Sequence, residues 1–477
     1  MDLSTARGRR LHTTAALSFD VIRTELEVPQ AFSAGVLVDA QDSLSRGPQG
    51  EREPLALPFV TIDPPQSMDL DQALHIERTA DGYLVHYAIA DVAAFVRPGA
   101  AMDNEAWARG VTLYSPDTRT PLYPPQLSED GASLLPDKDR PALVWVFTLD
   151  EAGEPTAVEF TRRLVRSVAK LDYAGVQVDF DKSAAHPSIG PLAELGPILV
   201  QQARGRGAIE LPIPDQEVVL AADGSWRLSF RAQLPVERWN AQISLLTGRC
   251  AAQMMLAAGI GLLRTLPVAD QHAVAGLRRV AISLGIDWPA EVSPGQILST
   301  VDGSTPREAA FIDEAAGLLR GSGYTAFEGL VPNQTEHAGV GAPYAHVTAP
   351  LRRLADRYVN EVCLSIQERR EVQDWAAHRL PDLPAAMTAG NRRDNGLERA
   401  CLDATEAAIL SNRLGEVFEG VVVEIDDSGA KSATVVLSDL AVRAKCSGTA
   451  LELGMTVRVM VAEADVATRT VRLVVAP

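Results

Sequence analysis

The chain has 477 residues, longer than one hydrophobic core usually supports, so two or three domains are expected. Its 46% hydrophobic and 22% charged content excludes a disordered chain, and a formal charge of −18 argues against a protein that coats nucleic acid non-specifically, though not against an enzyme with one local basic channel. Four cysteines (Cys250, Cys363, Cys401, Cys446) without a C-x-x-C pair argue against zinc and against a disulfide framework and fit a reducing cytoplasm.

In chain order, "MDLSTARGRRLHTTAALSFD" carries too short and interrupted an apolar run for a secretory signal. Residues 15–45 predict two short helices around Pro29, and the Gly/Pro-rich "SLSRGPQGEREP" predicts a linker, so that 1–50 form a short helical region. Residues 55–180 are strand-rich, as in "YLVHYAIADVAAFV" and "ALVWVFTLD"; residues 190–410 are helical, as in "LRRLADRYVNEVCLSIQERR". The fold class predicted is α+β, with one large unit of mixed sheet and helices over 51–412. The apolar stretch "AAQMMLAAGIGLLRTLP" is too short and too polar-marked to span a bilayer, so no membrane is expected. Within 413–477, Val-rich strands at 417–425, 433–437, 440–444, 455–463 and 469–475 predict a five-stranded OB-type barrel. With six basic and nine acidic residues over 415–477, that barrel is a poor electrostatic match to RNA.

The stretch "TIDPPQSMDLDQALHIE" gathers Asp63, Asp69 and Asp71 within nine residues. Like charges so close raise one another's pKa unless a cation neutralises them, and hard oxygen ligands without Cys or His favour magnesium or manganese. A solvated acidic turn gives the same string, whereas an EF-hand loop does not, for want of its Gly and Glu. Carboxylate-held metal with open positions for substrate oxygens is how phosphoryl-transfer sites are built, which makes phosphodiester hydrolysis the leading chemistry.

In "YAHVTAPLRRLADRYVN", Pro350 suits the first turn of a helix, and Leu351, Leu354, Tyr358 and Val362 form its apolar stripe. Arg352 and Arg353 then fall in the first turn, where the helix dipole disfavours cations unless an anion is bound. An Arg352–Asp356 pair on a solvated face is the alternative. Candidate aromatics for stacking on bases are Tyr114, Tyr123, Tyr173 and Tyr344, each of which could instead belong to the core. His337 and His346 flank the arginine pair.

Together these residues resemble the ribonuclease II/R (RNB-domain) family of processive 3′→5′ exoribonucleases. The likeness rests on "TIDPPQSMDLDQA", on the block from "YAIADVAAFVRPG" to "LLPDKDRPAL", and on "GRGAIELPIPDQ", "HAGVGAPYAHVTAPLRRLAD" and "NRRDNGLERACLDA" in that order, covering residues 55 to 410. "GEVFEGVVVEI" and "LGMTVRVMVAEADVATRTVRLVV" are similar to the family's C-terminal RNA-binding barrel.

The resemblance implies hydrolysis of single-stranded RNA to 5′-mononucleotides. It implies magnesium, or manganese, held by Asp63, Asp69 and Asp71, with Asp69, Asp71 and Arg352 at the scissile phosphate. Tyr114 is implied against nucleotides near the 3′ end, with Arg353, His346 and Glu398 as further substrate contacts and Asp91 as structural support. Three departures stand out: Gln72 occupies a position usually filled by a fourth carboxylate and supplies only an amide oxygen; the usual pair of N-terminal OB-type domains is replaced by the short helices; and neither the acidic pair of the long helix near "ISLLTGRC" nor a second clamp aromatic in "GRGAIELPIPDQ" is present. The alternatives are an RNA-binding protein whose metal site Gln72 has impaired, and a metal-dependent hydrolase of another phosphodiester.

Overall fold

A computed structural model describes residues 17–425 and 431–477; the reading of residues 1–16 lies outside the described residues. Two short helices, α1 (Asp20–Glu25) and α2 (Ala34–Arg46), come first, the second capped by Ser33 accepting from the Val36 N–H. Strands β1 (Pro54–Ile62), β2 (Gln72–Arg78) and β3 (Gly82–Ala90) follow, then α3 (Ala101–Arg109), the two-residue strands β4 (Leu113–Tyr114) and β5 (Arg119–Thr120), and the long strands β6 (Asp139–Asp150) and β7 (Pro155–Leu171). β1, β2, β3, β6 and β7 close into a barrel, sealed by parallel pairing of β1 with β7. The strand-rich half is therefore itself a barrel, which period-two patterning alone does not distinguish from an open sheet. Trp145, Phe147 and Phe160 fill it without exposure, the rings of Trp145 and Phe160 stacked at 4.0 Å.

Helices α4 (Tyr173–Asp181) and α5 (Leu192–Gly205) lead to a hairpin of β8 (Asp215–Leu220) and β9 (Trp226–Arg231), the long α6 (Pro235–Ala258) and β10 (Ile260–Thr265). The apolar stretch after residue 251 thus divides between helix and strand. Gly259, at φ +75° in the left-handed region, ends α6 where a residue with a Cβ would be strained. Helices α7 (Gln271–Leu284), α8 (Pro294–Leu298) and α9 (Pro306–Ala315) precede β11 (Gly323–Glu328), which pairs with β10 across 57 intervening residues, and a small ribbon of β12 (Glu336–His337) and β13 (Ala342–Pro343). These hairpins interrupt the half expected to be helical throughout. The buried α10 (Leu354–Gln367), the short α11 (Asp374–Ala377) and the long α12 (Leu383–Leu410) complete the unit.

The C-terminal strands β14 (Val417–Ile425), β15 (Ser432–Leu437), β16 (Val442–Ser447), β17 (Thr456–Asp465) and β18 (Thr470–Val475) form the expected closed five-stranded barrel. The third strand begins two residues later than its pattern suggests, because Ser438–Leu440 make a 3₁₀ turn and Ala441 takes φ +50°. Glu406 of α12 docks this barrel, accepting from the Arg443 N–H at 2.7 Å and from Gln216 Nε2 at 2.8 Å. Among the described residues no helix is long and apolar enough to cross a membrane.

Candidate active site

The acidic loop leaves the first barrel at Asp63 and re-enters it at Gln72. It is held from below: Ser133 Oγ accepts from the Leu70 N–H at 3.0 Å and donates to the Met68 carbonyl at 2.6 Å, and Leu70 is fully buried. Lys170 Nζ donates to the Pro65 carbonyl at 2.8 Å. With Leu70 anchored inward, the alternating backbone puts Asp69 and Asp71 on the other side of the loop, where Asp71 is still buried against the 349–352 turn.

Across from this loop lies the 344–360 segment, and the structure corrects its helix start. α10 begins at Leu354; Arg353 is its extended N-cap residue, and Pro350, Leu351 and Arg352 form a preceding turn. The cause is competition for backbone groups. The Leu354 N–H donates to the Gly110 carbonyl at 3.0 Å and the Thr112 N–H to the Arg352 carbonyl at 2.9 Å, groups a helix from Pro350 would pair internally, while Asp71 and Asp356 accept from the Leu351 and Ala349 N–H groups, each at 2.7 Å. Gly110, at φ +76°, lies against α12 with no room for a Cβ, which would sit 2.9 Å from the Ala386 carbonyl.

The alternative Arg352–Asp356 pair does not form: Asp356 pairs with Arg353, whose Nη2 lies 2.8 Å from this fully buried carboxylate. Arg352 is freed, and its Nε lies 3.3 Å from Asp71 while its side chain stays 45% exposed. A guanidinium so placed, anchored at one edge and open at the other, can meet an incoming anion.

Arg352 and Arg353 open onto a cavity of about 670 Å³ that Tyr114, Arg264, His346 and Asp394 also line. Tyr114, the outermost aromatic of this set, is 46% exposed at the edge of the β4–β5 hairpin. The other tyrosines fall elsewhere: Tyr123 is fully buried in the core and cannot stack on a base, and Tyr344 packs its ring against Gly248. Tyr173 is half-buried beside the acidic loop, where its hydroxyl accepts from Asn240 at 3.3 Å.

The Tyr114 hairpin is gripped from the N-terminal region. Arg23 of α1, buried, reaches Ser115 Oγ at 2.8 Å and both carboxylate oxygens of Asp117 at 2.6 and 2.9 Å. Glu25 of the same helix pairs with Arg469 of the C-terminal barrel at 2.7 Å.

His346 receives or donates at Nδ1 with the Tyr324 hydroxyl, 2.7 Å away. Burial, with Arg353 and Arg264 beside it, holds its pKa well below the usual histidine range, so it is a neutral wall residue at neutral pH. Glu398 is exposed on α12, one turn from Asp394, whose pKa burial and Glu398 push up to about 6 and whose carboxylate takes the Tyr114 N–H. Asp91 is buried between Arg52 at 2.6 Å and Arg162 at 3.2 Å, away from the cavity. Sequence reasoning missed Arg264 and Asp394, and Arg119 on β5. Basic and acidic side chains about 50 to 330 residues from the aspartates carry no local mark of their destination.

The aspartates differ in their surroundings. Burial pushes Asp71 up to about 8, against Arg352 and the Leu351 N–H, and pushes Asp63 up to about 6. No described residue donates a side-chain hydrogen bond to the Asp63 carboxylate. Asp69 is paired with Arg119 Nη1 at 2.9 Å, and Arg119 Nη2 holds Glu129 at 2.9 Å. Gln72 donates its amide N–H to the Thr348 carbonyl, which leaves its own amide oxygen as the atom able to meet a cation. Among the described residues no three His, Cys, Asp or Glu side chains stand together at ligand spacing. Buried Asp71, met among the described residues only by Arg352 and one backbone N–H, and half-buried Asp63 offer hard oxygens whose chemistry fits a divalent cation; Asp69 joins only by leaving Arg119.

Comparison with known proteins gives this geometry a lineage. The RNB domain pattern matches residues 52–366, and the pattern of the RNase II-type exonuclease C-terminal S1 domain matches 416–476. Ribonuclease R of Aquifex aeolicus is 26% identical over 438 residues, covering 86% of this chain and 60% of the relative. Exosome complex exonuclease RRP44 of Homo sapiens is 26% identical over 370 residues, covering 72% of this chain and 38% of the relative. The chain thus spans less than two thirds of the length of these relatives.

Among solved structures, Mycoplasma genitalium RNase R in complex with ribose-methylated single-stranded RNA superposes with a TM-score of 0.85 at 18% identity, covering 96% of this chain and 77% of the other. Yeast Ssd1, a pseudonuclease, superposes at 0.65 and 16% identity, covering 92% and 53%. With its match running through more than half of the residues, the chain belongs to the RNB-domain family and carries an RNase II-type C-terminal S1 domain.

Proposed function

We propose that this protein is a divalent-metal-dependent 3′→5′ exoribonuclease that removes 5′-mononucleotides processively from single-stranded RNA. The observation that carries the reading is the Arg352 guanidinium, which lines the same cavity as the exposed Tyr114 and reaches from it to the buried Asp71 of the acidic loop. Support comes from relatives named ribonuclease R and from the RNA-bound structure of one of them.

Asp63 and Asp71, with Asp69 and the Gln72 amide oxygen beside them, are the residues that would hold the cation, magnesium or manganese. The ion supplies charge neutralisation and an activated water when bound. Arg352 meets the phosphate as negative charge grows, its position fixed by Asp71. Arg353 adds a fixed positive charge whose orientation Asp356 sets. Tyr114 stacks on a base near the 3′ end, and neutral His346 offers a hydrogen-bonding edge to the same strand. The cavity wall, with Arg264 and Arg392, places basic groups inside a protein whose overall charge is −18. Four buried free thiols suit a reducing, cytoplasmic setting.

A second reading, an RNA-binding protein without turnover, is favoured by the pairing of Asp69 with Arg119 and by Gln72 in the loop. One experiment separates the two. With 5′-labelled single-stranded RNA and magnesium, the enzyme produces a ladder shortening from the 3′ end, while Asp71→Asn still shifts the RNA and leaves it intact. Wild-type protein that shifts RNA without shortening it supports the binder, and loss of binding together with cleavage in Asp71→Asn contradicts the division of roles.

A further inference from the structure

The histidine that lines the active-site cavity is held from behind. β11 carries Tyr324, the cross-strand partner of Arg264 on β10, and presents its hydroxyl to His346. The Arg264 guanidinium lies 4.8 Å over the Tyr324 ring and donates to Ser322 Oγ at 2.8 Å, which fixes the ring in place. The His346 ring in turn meets Tyr324 and Tyr344 edge-on, each at 5.6 Å between centroids. It has little room to turn.

The direction of the 2.7 Å bond between Tyr324 and His346 follows from the chemistry of the two rings. A neutral imidazole has one bare nitrogen and one N–H. The bare nitrogen is a better acceptor than a phenol oxygen, and a phenol, with a pKa of about 10, is a better donor than a neutral imidazole N–H. No other described residue accepts from the Tyr324 hydroxyl, and Asn391, a donor toward the same oxygen, presses its hydrogen the same way. Tyr324 therefore donates to Nδ1, and the ring proton of His346 sits on Nε2. Nε2 makes no hydrogen bond to a described residue and is left to the cavity that His346, Asn391 and Arg264 line.

Arg264, Arg352, Arg353 and Arg392 line that cavity too and suit charged phosphate oxygens. A single uncharged N–H among four guanidinium groups adds little hold on a phosphate; it suits an uncharged acceptor. In a strand whose phosphate meets Arg352 and Arg353, the nearest uncharged oxygens belong to the ribose, and the 2′-oxygen is the one that DNA lacks. We propose that His346 Nε2–H donates to a ribose 2′-oxygen near the 3′ end of the strand, and that Tyr324 is the positioning residue that keeps the proton on that nitrogen. Resting on the single-strand RNA reading, the pair selects ribose over deoxyribose in this cavity. Without the Tyr324 hydroxyl the two tautomers mix.

Two measurements on the full chain test the pair, and neither needs catalysis. In the chain labelled with 15N-histidine, two-bond 1H–15N spectra should show Nε2 protonated and Nδ1 bare, the His346 signal being identified by its absence from His346→Leu. In Tyr324→Phe the two nitrogen signals move toward each other. Fluorescence anisotropy in the presence of a chelator then compares a single-stranded RNA with the same strand carrying deoxyribose in its last few 3′ nucleotides. The wild type should prefer the all-ribose strand. His346→Leu, checked for folding by circular dichroism, should shrink that preference by roughly three- to tenfold, the worth of one uncharged hydrogen bond, with affinity for the deoxyribose strand unchanged. Tyr324→Phe shrinks it by less. A proton on Nδ1 in the wild type overturns the proposal, as does an unmixed tautomer in Tyr324→Phe or a ribose preference that survives His346→Leu. A wild type that binds neither strand overturns both the proposal and the RNA reading, whereas one that binds and shortens RNA with any of those three results overturns the proposal alone.

Discussion

Replacing Arg23 by alanine removes the bond between the N-terminal helix and the turn that carries Tyr114. The arm to Asp20 contributes little, since that carboxylate is 78% exposed. The two bonds to Asp117, whose side chain is 34% exposed, and the one to Ser115 are charge-assisted and partly shielded, so their joint loss costs about 2–4 kcal/mol of local stability. The cost falls on residues 113–120, because the barrels do not depend on this contact. Amide exchange across that segment accelerates in Arg23→Ala, and single-strand RNA affinity falls.

The fall has a ceiling. Arg23 acts only by placing Tyr114, so its removal costs no more than removing the ring itself, worth about 1–3 kcal/mol per stacked base. Affinities of Arg23→Ala, Tyr114→Ala and the double variant, measured by fluorescence anisotropy, should show that Arg23→Ala has no further effect once Tyr114 is gone. Equal losses in both backgrounds, or unchanged exchange over 113–120, refute the brace. Asp117→Asn supplies a check from the other side of the contact and should reproduce most of the Arg23 effect.

Tyr114→Ala by itself weakens binding of short single strands by about 1–3 kcal/mol with little change in thermal midpoint, since the ring is half exposed. Gln72→Asp exchanges the donor to the Thr348 carbonyl for a shorter carboxylate, which destabilises the cation-free protein by about 1–3 kcal/mol, and manganese restores it; a melting curve indifferent to manganese would place residue 72 away from any ion. Glu406 has a folded pKa pushed up to about 7 by burial, above the unfolded 4.5, so the folded state holds the extra proton between these values and its stabilising share is lost as pH rises through about 7. Urea unfolding at about pH 5 and about pH 8 should therefore show a drop in the wild type up to ~3 kcal/mol larger than in Glu406→Gln; identical drops in the two proteins contradict the assignment.

The linear sequence determined what is local. The acidic loop, the Val-rich strands of the C-terminal barrel, the short N-terminal helices and the arginine pair are all legible because spacing, turn residues and charge lie within a few residues of one another. Closure of the first barrel was decided by tertiary structure, through pairing of β1 with β7 over some hundred residues, and so was the pairing of β10 with β11 inside a half that reads as helical. The start of α10 was also decided there, because the Gly110 carbonyl takes the Leu354 N–H and the Thr112 N–H takes the Arg352 carbonyl, two groups that a helix beginning at Pro350 would pair within its own first turns. The same holds for the partners of the aspartates. Arg352, Arg119 and Arg23 are ordinary arginines in sequence. Which carboxylate each one meets is set by how the barrel, the hairpin and the helices pack, and a side chain's electrostatic neighbours are a property of that packing.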